Sequence, residues 1–315
     1  MVKRADGSSG ERGAAFPLPI TTLPDLSRRV FNGLRLTMPK GLGLAPDLPE
    51  PLGRLGTLEV RLARSAREVK KAQKLRFKVF YEEMSAIPDI ATQMSRRDRD
   101  AFDAICDHLL VIDHAAPTRT GEAAIVGTYR LLRQDVAARY SGFYSSNEFD
   151  IGPLLSRHGG LRFLELGRSC VLPPYRTKRT VELLWHGIWS YVRSNGMDVM
   201  VGCASLEGTD PEQLALPLSF LHHTCRAADE WRVTPLPGRH VAMDRMPLEA
   251  VDMKAALHAL PPLIKGYLRL GARIGDGAVI DRQFGTTDVM IILPVSAISE
   301  RYLNYYGVDA TRYAA

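Results

Sequence analysis

The chain has 315 residues, 45% hydrophobic and 24% charged, a balance that excludes a low-complexity protein and leaves room for one large domain or two small ones. A net charge of +6 and a sequence pI near 9.2 favour an acidic partner, whether nucleic acid, an anionic membrane surface, a phosphorylated cofactor or an acidic carrier protein. Cys106, Cys170, Cys203 and Cys225 form no Cys-x-x-Cys pair, and no secretory leader pattern opens the chain, so a reducing cytoplasm is expected. No run approaches the roughly 18 apolar residues of a membrane span.

Residues 1–55 read as a flexible basic tail, with eight basic residues against five acidic ones and much Gly, Pro and Ser. Within it, "LSRRVFNGLRL" mixes arginines with Leu26, Val30, Phe31 and Leu34, a pattern open to weak peripheral contact with anionic lipid, although Gly33 and the short length favour a flexible leader. The folded body is expected over 56–306, with 307–315 as a second tail. "LEVRL" alternates as a strand, and Ser65 with Glu68 forms a capping box ahead of a helix carrying Val69, Ala72, Leu75 and Val79. "HLLVID" (108–113) and "AIVGTYRLL" (124–132) read as an antiparallel hairpin. "LRFLEL" (161–166) is a strand. A helix over 177–195 carries Val181, Leu184, Trp185, Ile188, Trp189 and Val192 on one stripe and stops at Gly196. "DVMVGCA" (198–204) is a strand, followed by helices near 214–228 and 252–260 and by strands near 231–233, 241–243 and 288–294. The order describes a mixed α/β (α+β) sheet with helices on both faces, without the strict alternation of a doubly wound parallel fold.

The informative string is "ELGRSCVLPPYRTKRTVELLWHGIWSYV" (165–192). Pro173 and Pro174 end a strand, and Arg176, Lys178 and Arg179 crowd the start of a helix whose first amides lack intrahelical partners. Cations there are unfavourable for the helix by itself, which points to an anionic ligand such as phosphate or pyrophosphate.

With the neighbouring strings, this segment resembles the GCN5-related N-acyltransferase (GNAT) superfamily. It lacks the glycine-rich version of that family's turn and has "YRTKRT" instead. It is more closely similar to the ornithine-acyl-carrier-protein N-acyltransferases, relatives of hemolysin-like proteins and, at greater distance, of acyl-homoserine lactone synthases. "LRFKVFYEEM" (75–84), "FDAICDHLLV" (102–111), "GCASLEG" (202–208), "PLSFLHH" (217–223) and the run at 261–294 carry this resemblance. It implies a GNAT-like, largely antiparallel sheet and transfer of a 3-hydroxyacyl group from acyl carrier protein to the α-amine of ornithine, giving lyso-ornithine lipid. It also implies that Arg176, Thr177, Lys178, Arg179 and Thr180 hold the phosphopantetheine arm, with no metal and no separate cofactor. The same fold could acylate lysine, glutamine, glycine or a homoserine-lactone precursor, and a non-enzymatic membrane-active protein is the alternative of another class.

An amine attacking a thioester must lose a proton, and Glu165, a carboxylate in an apolar strand beside the turn, is the expected acceptor. Arg168 completes a Glu-x-x-Arg pattern that the lactone synthases also display. Three apart on a flat strand the two side chains diverge, so their cooperation requires a bulge at Gly167. Asp103 and Asp107, one helical turn apart, are expected to meet the acceptor's ammonium, with Asp281 and Asp288 as alternatives and Arg130 for its carboxylate. His108 and Asp113 do not form an acyltransferase pair, because a separation of five sends them to opposite strand faces. "HHTC" (222–225) lacks a second zinc-ligand pair, and Cys170 has no histidine partner in sequence. Nucleic-acid binding is not expected, since no basic stripe is interleaved with aromatics.

Overall fold

The computed structural model describes residues 50–116, 121 and 123–306; most of the expected basic tail, including its amphipathic segment, and residues 307–315 lie outside them. The strands are β1 (Gly53–Leu55), β2 (Leu58–Leu62), β3 (Asp107–Asp113), β4 (Ala124–Arg133), β5 (Phe149–Asp150), β6 (Phe163–Val171), β7 (Val199–Glu207), β8 (Thr234–Pro235), β9 (Arg273–Asp281) and β10 (Thr286–Pro294). The α-helices are α1 (Ala66–Phe77), α2 (Ile90–Ser95), α3 (Gln134–Ala137), α4 (Gly152–Arg157), α5 (Lys178–Asn195), α6 (Ala215–Phe220), α7 (Met253–Ala259), α8 (Pro262–Arg269) and α9 (Glu300–Tyr306). Among the described residues, eight strands form one mixed sheet in the order β1-β2-β3-β4-β6-β7-β10-β9, and every neighbouring pair is antiparallel except β6–β7.

The parallel pair is the feature that shapes the site. β6 and β7 match only from Phe163–Val199 to Glu165–Val201, although β6 continues to Val171 and β7 to Glu207. Beyond that point the two strands part, leaving a slot edged by backbone polar groups. Gly202 sits where the ladder ends, so close that a Cβ there would lie 2.3 Å from the Leu166 carbonyl oxygen.

Helix α5 fills one face of the sheet. Thr177 caps it, Gly196 at φ 57 closes it in the left-handed conformation, and Leu183, Leu184, Ile188, Tyr191 and Val192 are buried among Val60, Leu109, Leu164, Leu166 and Met200. Trp185 and Trp189 belong to this core, while Val181, expected on the same stripe, is exposed in the first turn. The opposite face carries a smaller core of Leu132, Phe143, Phe149, Phe163, Val201, Val279 and Met290.

The hairpin, the helix after "YRTKRT" and the final strand fall close to where periodicity places them. Other elements differ. Strand β1, within the stretch expected to be tail, pairs with β2, and Leu52 before it is buried. The helix expected over 214–228 ends as a π-helical turn over 221–225, and the segments near 231–233 and 241–243 yield only the short β8 and an isolated Val241–Ala278 bridge. β9 was hidden by its glycines and forms the outer edge of the sheet. Among the described residues no helix is long and apolar enough to cross a membrane.

Candidate active site

Arg168 is the pivot of the site. Opposite β6, Thr128 pairs with Cys170 and Arg130 with Gly167, so Tyr129 alone faces both Arg168 and Ser169: a β-bulge. The left-handed residue of the bulge is Arg168 itself, at φ 50, and not Gly167 as the sequence suggested. A non-glycine residue in that region is strained, so something must hold it. Its guanidinium reaches Asp98 at 3.3 Å and Asp100 at 3.4 Å, and lies over the rings of Tyr144 and Phe284 at 4.6 and 4.9 Å from their centroids.

These contacts belong to a closed ring of alternating charges. Asp98 also meets Arg76 at 2.8 Å; Arg76 meets Asp103 at 2.8 Å; Asp103 meets Arg130 at 3.4 Å; and Arg130 returns to Asp100 at 2.6 Å. Arg76 comes from α1, Arg130 from β4, and the three aspartates from the loop and 3-10 turn before β3. Burial alone would raise the Asp103 carboxyl, but the Arg76 guanidinium overcomes it and holds the group below the usual carboxylate range. Asp100 is lowered likewise by Arg130 and Arg168 against the cost of burial.

Glu165 faces this ring without joining it. Its carboxylate accepts hydrogen bonds from the Tyr144 amide (2.8 Å), the Ser145 amide (2.8 Å) and the Ser145 hydroxyl (2.6 Å). Glu165 and Arg168 therefore meet through Tyr144 and not through each other: one holds its backbone, the other its ring and hydroxyl. Burial pushes the Glu165 carboxyl up, and these three donors oppose the rise. Glu165→Gln should turn one amide N–H toward these donors and destabilise the fold by about 1–3 kcal/mol, measurable as a lower thermal midpoint. An unchanged midpoint would remove Glu165 as the support of Tyr144.

Asp103 and Asp107 do not form an acceptor pair. Asp103 is consumed by the ring, whereas Asp107 begins β3 and accepts from the Tyr191 hydroxyl at 2.6 Å. Arg130 is buried in the ring. The alternative acids are brought together instead. Asp281 and Asp288 lie with Glu148 so that one carboxylate oxygen of each is within 4.8 Å of the others. Burial, then the charge of Asp288, pushes the Glu148 carboxyl up to about 7, and burial raises Asp288 as well. Glu148 accepts from the Cys203 thiol at 3.4 Å and lies 3.7 Å from the peripheral Arg239. The arginine ring is balanced by its own aspartates and has no charge to spare for this cluster, where burial favours the neutral forms of Glu148 and Asp288.

At the start of α5 the expected cations are not equivalent. Arg176 spends its guanidinium on Glu83 (2.8 Å) and on the Val171 carbonyl (3.0 Å). Thr177 caps Thr180, and Thr180 is fully buried, so both serve the helix. Lys178 and Arg179 remain exposed in the first turn of α5, Lys178 with a 3.6 Å contact to Glu182 and Arg179 with its guanidinium against Gly56 in the β1–β2 turn. Among the decoys, His108 Nε2 is bonded to the Asp103 carbonyl and Asp113 accepts from Tyr175. His222, His223 and Asp244 do gather, yet His223 Nε2 is engaged by the Met246 carbonyl. The sequence reading missed Arg76, Asp98, Asp100, Tyr144 and Glu148. The alternation in "RRDRDAFD" was the one local signal for any of them.

A sheet parted beside a bulge, a helix start with exposed cations and a polar basin on the other face define an N-acyltransferase of the GNAT fold. The acetyltransferase (GNAT) domain profile matches residues 75–186. The chain is 59% identical to an L-ornithine N(alpha)-acyltransferase of Rhizobium meliloti, over 86% of this chain and 92% of that protein, and 58% identical to one of Brucella abortus, over 83% and 93%. It belongs to this L-ornithine N(alpha)-acyltransferase family. An N-acyl amino acid synthase from uncultured soil microbes superposes with a TM-score of 0.41 at 10% identity, covering 76% of this chain and 91% of the other.

Proposed function

We propose that the enzyme moves a 3-hydroxyacyl group from acyl carrier protein to the α-amine of ornithine, giving lyso-ornithine lipid in the first step of ornithine lipid synthesis. The observation that carries the acceptor is the gathering of three carboxyl groups, the buried Glu148 and Asp288 and the half-buried Asp281, which suits a cationic ligand. Ornithine supplies two ammonium groups, and its carboxylate suits Arg168 at the edge of the ring. The names of the relatives support the same acceptor.

The donor's pantetheine arm is an extended chain with two amides, and it fits the slot by adding itself to the free edges of β6 and β7. Its phosphate lies at the start of α5 beside Lys178 and Arg179. The α-amine gives its proton to Glu148, whose range near neutrality suits that task better than Glu165, already held by three donors. The amine nitrogen then bonds to the thioester carbonyl carbon, the carbon–sulfur bond breaks, and the thiolate leaves with a proton. The donor brings its own arm, so the reaction needs no separate cofactor.

The direct test supplies 3-hydroxyacyl carrier protein with single amino acids and reads products by mass spectrometry. Acyl-ornithine should dominate, lysine should react more slowly and glycine not measurably. Equal use of all three would sink the assignment. Lys178→Glu with Arg179→Glu should raise the carrier-protein KM by about tenfold, two charge-assisted contacts being lost, while the ornithine KM stays near its original value. Equal effects on both KM values would make the turn merely structural.

A further inference from the structure

The segment from Met84 to Arg99 holds an apolar surface that the reaction does not use. Met84 is 49% exposed, Ile87 66%, Ile90 81% and Met94 82%. Single exposed apolar residues are ordinary, but four large ones within eleven positions form a patch. Ile90 and Met94 are one turn apart on α2 and share a face. The segment is fastened to the site's frame: the Ile87 amide donates to the Gln283 carbonyl at 2.7 Å, the Ala86 amide to the Phe80 carbonyl at 2.9 Å, and the Asp89 carboxylate caps α2 at the Thr92 amide. It then runs directly into Asp98 and the charged ring.

The charges around the patch are not balanced. Glu82 is paired with Arg96, Glu83 with Arg176, and Asp98 with Arg76 and Arg168, while the exposed Asp89 is engaged by the Thr92 amide and sets one negative charge against the cations. Lys78, Arg97, Arg99 and Arg282 have no acidic partner among the described residues, and Lys78, Arg99 and Arg282 are exposed. Apolar side chains held out on a fixed frame, with cations before and after them in the chain and Arg282 next to the Gln283 that anchors Ile87, suit an anionic bilayer, with carbon in the acyl boundary and cations at the phosphates. An acidic carrier protein would match the cations but would leave four large apolar groups against a polar helix.

We propose that this face seats the enzyme on an anionic membrane and delivers the product to it. The delivery rests on the reading above that the product is a single-chain acyl amino acid; the contact itself rests on the patch. The full-length protein is floated with phosphatidylcholine vesicles with and without phosphatidylglycerol. Residues 1–49 are also basic, so the decisive comparison is Ile90→Asp with Met94→Asp, both exposed positions outside the site. That variant should lower partitioning onto anionic vesicles by about tenfold or more, while transfer from soluble acyl carrier protein without vesicles stays within about twofold. Arg97→Glu with Arg99→Glu should lower binding to anionic vesicles and leave the weak binding to neutral ones unchanged. Flotation of the double aspartate variant equal to wild type would overturn the proposal. So would a raised carrier-protein KM or a loss of self-association in its place. Failure of the wild-type protein to acylate ornithine would instead count against the proposed reaction.

Discussion

Glu148→Gln should leave the protein more stable than wild type at pH 8, no more stable at pH 4.5, and poorly active on ornithine. The Glu148 carboxyl is pushed up to about 7 by burial and by Asp288, from an ordinary value of 4.5. Between those values the folded chain holds a proton that the unfolded chain has released. Stability therefore falls as pH rises through that window and is fully lost to this group above about 7. The ceiling of the effect is about 3 kcal/mol, at about 1.4 kcal/mol for each pH unit of the window. Glutamine keeps the neutral form at every pH and removes the loss. Saturating ornithine should act oppositely: its ammonium pairs with the ionised wild-type carboxylate, so it stabilises wild type at pH 8 more than it does the variant. The kcat/KM for ornithine should drop by about 100-fold on loss of the proton acceptor. Thermal unfolding at both pH values, with and without ornithine, reads the first two effects, and initial rates read the third. A variant no more stable than wild type at pH 8 would show that the cluster is already compensated within the fold.

The parts of the molecule legible in the sequence are those with a local period or a local cap. Helix α5 announced itself through its apolar stripe and through Gly196, the left-handed residue that ends it. The β3–β4 hairpin was equally plain. The charged ring was not, because its pairs join residues from α1, β4 and β6 to one short segment before β3, across sequence distances that no periodicity records. The bulge was foreseen one residue early. Glycine is the residue that tolerates positive φ most cheaply, so Gly167 was the natural choice, but two carboxylates and two aromatic rings hold Arg168 there instead. Glu148 was invisible for a related reason. It follows a short 3-10 turn, and only the fold brings it to Asp281 and Asp288 on distant strands.

The slot yields the second large effect, at a residue with no chemistry of its own. Gly202→Ala should destabilise the protein by about 3 kcal/mol and reduce kcat/KM for the acyl donor by about 100-fold, whereas Gly167→Ala should be close to neutral in stability. The added Cβ at position 202 would meet the Leu166 carbonyl oxygen at 2.3 Å and its carbon at 3.3 Å, and neither is a side chain that can swing away. Gly202 is tied to Ile291 in the β7–β10 ladder, and Leu166 to Leu131 in the β4–β6 ladder. Relief comes only by forcing β6 and β7 apart. That strains the Glu165–Val201 pairing and widens the closed end of the slot where the donor arm would lie. At Gly167, by contrast, nothing lies within 4 Å of the added Cβ, although it adjoins the bulge. Thermal midpoints and donor kinetics of the two alanine variants decide the matter. If both behave alike, the parting of the sheet is not held at Gly202, and the slot's position must be set by the Arg168 bulge alone.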